Sequence, residues 1–76
     1  MKDLLLYVAQ NLVDEPDKVV VTETETESEI NFTLNVASGD MGKVIGRQGK
    51  IAREIRILMR SAAQKRGKRV NVDITN

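Results

Sequence analysis

The amino-acid sequence predicts an α+β fold in the order α-β-β-α-α-β, a mixed three-stranded sheet with three helices packed on one face. Three observations carry that expectation. Residues 29–36 alternate between polar and apolar side chains, the period of a half-buried strand. Residues 3–13 and 50–65 repeat their apolar side chains at helical spacing. Gly46-Arg47-Gln48-Gly49 interrupts the chain just before the second of these stretches with two residues that lack a Cβ.

The first helix carries Leu4, Leu5, Val8, Ala9 and Leu12 on one stripe, with Asp3 as its capping residue. Pro16 disfavours helical geometry in the residue before it, so this helix stops near Asp14–Asp17. Lys18–Thr26 is rich in β-branched residues, headed by Val19-Val20-Val21, and reads as a strand. Its distal half alternates Thr and Glu, a chemistry suited to a sheet edge. After a turn at Glu27-Ser28, Ile30, Phe32, Leu34 and Val36 share one face of a second strand.

Ser38-Gly39-Asp40 offers capping chemistry for a short helix, Met41–Ile45, which ends at Gly46. A long helix follows from about Lys50 to Lys65. There Ile51, Ala52, Ile55, Leu58, Met59, Ala62 and Ala63 share one face, and Arg53, Arg56 and Arg60 lie nearly opposite. Gly67 ends it, and Val70, Val72 and Ile74 alternate along a final strand. A short turn makes the first two strands antiparallel. The helical crossover between residues 29 and 75 makes the second pair parallel, right-handed and adjacent.

At 76 residues the chain is expected to form one small domain, burying only about 60% of its unfolded surface. It has neither cysteine nor histidine, which excludes disulfides and structural zinc. No stretch is apolar for long enough to span a bilayer, and the run at Met1–Leu6 is too short for a signal peptide. The expected location is the cytoplasm. The formal charge of +1 hides a segregation: residues 1–40 hold two bases and nine acids, residues 41–76 ten bases and two acids. That asymmetry suggests a polyanionic partner on one face.

Catalysis is not expected. The remaining nucleophiles and acid–base groups (Ser28, Ser38, Ser61, Tyr7, lysines and carboxylates) form no catalytic constellation. Glu23, Glu25, Glu27 and Glu29 alternate as a solvated edge does, so no metal is expected, and neither is a cofactor or a small-molecule substrate. Gly42, Gly46 and Gly49 fail both nucleotide-loop spacings at one residue: Val44 stands where the dinucleotide fingerprint needs Gly and where a P-loop needs Ser or Thr. The turn still suits an anion, because its glycines let a phosphate approach the backbone and it opens into a helix N-terminus.

Val44-Ile45-Gly46, two variable residues, Gly49 and a helix with Ala52 and Ile55 a few positions on resemble a KH domain. The order of elements is similar to the type II, prokaryotic arrangement, with a KH core over about residues 29–75. A KH domain of this length resembles the KhpA family of small bacterial RNA-binding proteins. The resemblance implies a module for single-stranded RNA, acting as an RNA chaperone or in post-transcriptional regulation. In such a module the Gly46–Gly49 turn clamps the backbone of about four nucleotides. Lys43, Arg47, Lys50 and Arg53, with Gln48 in the turn, would face phosphates. Val44, Ile45, Ile51 and Ile55 would form one wall of an apolar groove, and the strand around Val70–Val72 the other, bonding base edges through its backbone. Many KH domains carry a large aliphatic where this chain has Ala52, which leaves the lining of the groove open.

Plainer readings stand beside these. Val44, Ile45, Ile51 and Ile55 are equally suited to the core, and Arg56 and Arg60, set away from the turn, to a solvated face. The only aromatics are Tyr7 and inward-facing Phe32, which excludes base stacking on aromatic platforms. Two other functions remain: a helix-hairpin-helix-like DNA binder without strands, and a KH fold that mediates protein contacts with little RNA binding. The small core and the resemblance imply a homodimer or a heterodimer with a larger KH-domain protein. Ile57, off the apolar stripe, could seat such a partner.

Overall fold

The computed structural model describes residues 1–76, and its elements follow the expected order. Helix α1 (Lys2–Leu12) leads to β1 (Val20–Glu25) and β2 (Glu29–Asn35). Helices α2 (Met41–Ile45) and α3 (Lys50–Ala62) then cross over to β3 (Arg69–Thr75). Strand β2 is central: it pairs antiparallel with β1, Val20 opposite Asn35, and parallel with β3, Phe32 opposite Val72.

The alternation in β2 decides where the core lies. Ile30, Phe32 and Leu34 are buried against Leu5 and Ala9 of α1, Val44 of α2, and Ile55 and Met59 of α3. Glu29, Asn31, Thr33 and Asn35 stay half-exposed on the other face. There the Asn71 amide donates to Asn31 Oδ1 at 2.8 Å across the parallel pair. The helices thus cover one face and leave a polar one open. No helix is long and apolar enough to cross a membrane.

Several local expectations need correction. Met1, not Asp3, holds the N-cap position of α1; Asp3 sits in the first turn, where its charge favours the helix dipole. Helix α3 yields after Ala62 to a 3-10 turn at Gln64–Arg66 that closes on left-handed Gly67. Its inner stripe is also narrower than the sequence suggests. Ala52, Ile55, Met59 and Ala63 are buried, but Leu58 is 38% exposed in a groove against α1, and Ala62 is exposed. The glutamates of β1 are not simply solvated. Glu23 accepts the Lys2 backbone N–H at 3.0 Å, and Glu25 pairs with Lys68 at 2.6 Å and Arg66 at 2.7 Å. The hydrogen bond from Lys68, together with the charges of both bases, holds the Glu25 carboxyl below its ordinary value.

Candidate nucleic-acid interface

Helix α2 stops because Gly46 turns to φ 76°, ψ 173°, a conformation open essentially only to glycine. Its N–H donates to Gly42 O at 2.9 Å, closing the helix. The site is tight as well as twisted: a Cβ on Gly46 would lie 2.6 Å from Ile51 Cγ1 and 2.9 Å from the Ile51 backbone nitrogen. Gln48 (φ 56°) and Gly49 (φ 74°) then turn left-handed in succession, and a Gly49 N–H bond to Gly46 O at 3.2 Å closes the loop. The turn hands the chain to α3 with Gly49 at the N-cap, no side chain capping it and no acid in the first turn. An anion would meet the positive end of a 13-residue helix there without a competitor.

Around that turn Arg47, Gln48, Lys50 and Arg53 are exposed, and none of the three cations makes an ion pair. Lys43 differs. Its ammonium lies 3.0 Å from Asp14 and 3.7 Å from Asp40, so it is tied to the loop after α1 rather than free for a phosphate. The hydrogen bond and charge of Asp14 raise its pKa above the ordinary value. Asp40, buried, is the pivot of this corner and was missed from sequence as anything beyond a cap: it accepts the backbone N–H groups of Asp14 at 3.2 Å and Glu15 at 3.0 Å. Burial pushes its carboxyl up, but those two donors and Lys43 outweigh it, and the net shift is downward.

The single apolar groove expected from the sequence is not what the fold builds. Val44 is fully buried, and Ile55, Val70 and Val72 are buried too, so their side chains belong to the core. Ile45 is half-buried. Ile51 turns towards α1, where it joins Val8, Leu12, Ile55 and Leu58 in an apolar groove of about 300 Å³. The cleft between α3 and β3 is a different one. It is polar, about 230 Å³, and lined by Arg56, Arg60, Val70, Asn71, Val72 and Asp73.

Arg56 and Arg60 therefore do not lie apart from β3; they line the cleft beside it. Their angular offset from the apolar stripe sets them away from the turn, and the same offset turns them towards β3. The bonds from Arg69 N to Ser28 O and from Val36 N to Thr75 O place the odd residues of β3 in the ladder with β2. Val70 and Val72 then present their backbone groups outward to the cleft, and Arg56 Nε donates to Val72 O at 3.3 Å. The signal in sequence was available: a terminal strand following a crossover helix has one unpaired edge, and the helix face above it is the arginine face.

A mixed sheet in this order, with a Gly-x-x-Gly turn leading into the crossing helix, defines a KH domain of the type II arrangement. A family model described as KhpA/KhpB, KH domain matches residues 2–74. The chain belongs to that family. It is 53% identical to the RNA-binding protein KhpA of Clostridium acetobutylicum over 97% of its own length and 99% of that protein's. The KhpA of Caldanaerobacter subterraneus is 50% identical with the same coverage, and that of Listeria monocytogenes 40% identical over 97% of each chain. No solved structure matches.

Proposed function

We propose that this chain binds single-stranded RNA, holding the sugar–phosphate backbone at the Gly46–Gly49 turn and the bases in the cleft between α3 and β3. One observation carries the reading. Three unpaired cations, Arg47, Lys50 and Arg53, surround a left-handed turn that opens an uncapped helix N-terminus. The names of the KhpA relatives and the family model support the same class of ligand. The activity is one of binding, in RNA folding or post-transcriptional regulation, with no chemistry performed on the strand. The test is equilibrium binding to short single-stranded RNA across salt concentrations. Three neutralised phosphates, at about 0.7 per phosphate, give a slope of log K against log salt of about −2. Absence of binding at low ionic strength would leave a protein-contact module instead. The strands that precede and follow the turn argue against a helix-hairpin-helix DNA binder.

A second reading concerns self-association. Val8, Leu12, Ile51 and Leu58, lying over buried Ile55, line a continuous apolar groove with Lys50 and Glu54 at its rim. An apolar groove shared by two helices and left open on the surface is what a partner would cover, so we assign this α1–α3 face to pairing with a second copy or with another KH-domain chain. The groove gathers Leu58 rather than Ile57, which is 48% exposed outside it. Leu58→Glu should shift a dimer to monomer in sedimentation; an unchanged mass would move the interface elsewhere.

A further inference from the structure

A strand edge reads a base by offering an N–H and a C=O together. In the α3–β3 cleft that edge is altered, because the outward carbonyl of Val72 already accepts Arg56 Nε at 3.3 Å. A guanidinium carries five N–H donors and no acceptor, and Nε uses one of them. The two terminal nitrogens remain as a fork. At about 230 Å³ the cleft is smaller than the roughly 300–1,000 Å³ of a drug-sized pocket and suits a single base.

A donor fork discriminates among bases. Guanine presents two neighbouring acceptors, O6 and N7, on the edge remote from the sugar, the usual partners of a bidentate arginine; cytosine's adjacent pair, O2 and N3, sets one acceptor beside the glycosidic bond, and uracil's two carbonyls flank an N3–H donor. Adenine presents N7 beside the N6 amino group, which would set donor against donor, and the Val72 carbonyl that could accept from that amino group already has one of its two lone pairs taken by Arg56. Asn71 offers no counterweight, since its amide is turned to Asn31 on the open face of the sheet. Asp73 is exposed, so any contact with its carboxylate competes with water.

We infer that Arg56 is the base-reading residue of this cleft and makes it a guanine subsite. The inference rests on the RNA-binding reading above. Its test compares four short RNAs that differ at one central position of an adenine tract, carrying G, A, C or U, by fluorescence anisotropy at low salt. The strand with G should bind the wild-type protein roughly fivefold tighter than the others, or more. Arg56→Lys keeps the charge and loses the fork, so it should bind all four strands alike, near the affinity of the wild type for the weaker three. Equal wild-type affinity for the four strands, a preference for any other base, or a guanine preference that survives in Arg56→Lys would each overturn the assignment while leaving RNA binding intact. Failure of the wild type to bind any strand overturns the RNA-binding reading and this one with it.

Discussion

Lys43 and Lys50 stand on either side of one glycine turn, and the fold puts them in opposite electrostatic states. Lys43 is enclosed by Asp14 and Asp40, at 3.0 and 3.7 Å, and works as a tether between α2 and the loop after α1. Lys50 makes no ion pair and begins a helix whose first turn contains no acid. Charge counted along the chain is therefore not charge available to a ligand. The same distinction separates Arg66 and Lys68, bound to Glu25, from Arg47 and Arg53, which face solvent. The acidic half of the sequence returns to neutralise part of the basic half, and what it leaves unpaired is concentrated around the turn and along the outer face of α3.

The largest expected effect breaks the comparison on its free side. Arg47→Asp with Gln48→Asp places two carboxylates where a phosphate would sit, and RNA binding should fall below detection at moderate salt. The fold should survive, because both side chains are exposed and Asp tolerates the left-handed φ of 56° at position 48. A thermal melt close to that of the wild type, alongside lost binding, is the expected pair of results. Normal binding by the double variant would mean that the turn is not the clamp.

Next in size is a contrast between the two glycines of the turn. Gly46→Ala meets the Ile51 backbone nitrogen at 2.9 Å in a conformation reserved for glycine. It should cost on the order of 3 kcal/mol. At Gly49 an added Cβ meets nothing within 4 Å, and only the left-handed φ opposes it. About 1 kcal/mol is expected there. Denaturant midpoints compared at equal m-value separate the two cases. Equal losses would show that φ alone, and not the packing of Ile51, fixes Gly46.

These contrasts mark how far the sequence could be read. The alternation of Ile30, Phe32 and Leu34 and the spacing of the glycines were enough to predict the sheet order and the turn, because period and missing Cβ atoms are local properties. The role of Lys43 was not legible, and that of Arg56 only in outline, because each contact depends on what a distant segment brings beside it. Asp14 reaches Lys43 only after α1 and its loop have folded back. Arg56 meets Val72 only once β3 has become an edge strand. Val44 and Val72 were placed on a groove wall by resemblance, whereas a fold with so small a core needs both of them inside it. Asp3 and Ala62 were misjudged for a simpler reason: helix ends respond to capping and coverage, which periodicity does not contain.

The tethered side of the comparison gives the third effect, smaller than that of Gly46→Ala and larger than that of Gly49→Ala. Asp40→Asn removes the charge that holds Lys43 and weakens the bonds from Asp14 and Glu15, so the melting temperature should fall. Its pH dependence has a defined sign. The folded carboxyl titrates below its ordinary 3.8, so its contribution is complete above that value and fades as pH falls further. Lys43 is raised above its ordinary 10.5, so its share is complete below that value and fades as pH climbs past its folded pKa. The difference in melting temperature between wild type and Asp40→Asn should therefore hold across neutral pH and narrow at the acid end, below 3.8. A gap that stayed constant into strong acid would assign the loss to packing rather than to charge.

The smallest effect tests the comparison most directly. Lys43→Gln and Lys50→Gln remove the same charge from residues seven positions apart, one on each side of the turn. If Lys50 alone faces phosphate, its substitution should make the salt slope shallower by about 0.7, the contribution of one phosphate on a single strand. Substituting Lys43 should leave the slope unchanged while lowering the melting temperature, since its partners are Asp14 and Asp40. The reverse pattern, a shallower slope from Lys43→Gln at unchanged stability, would mean that RNA draws this ammonium away from its carboxylates. The corner would then be a reserve of positive charge released on binding, and the distinction between tethered and free lysines would hold only for the unbound protein.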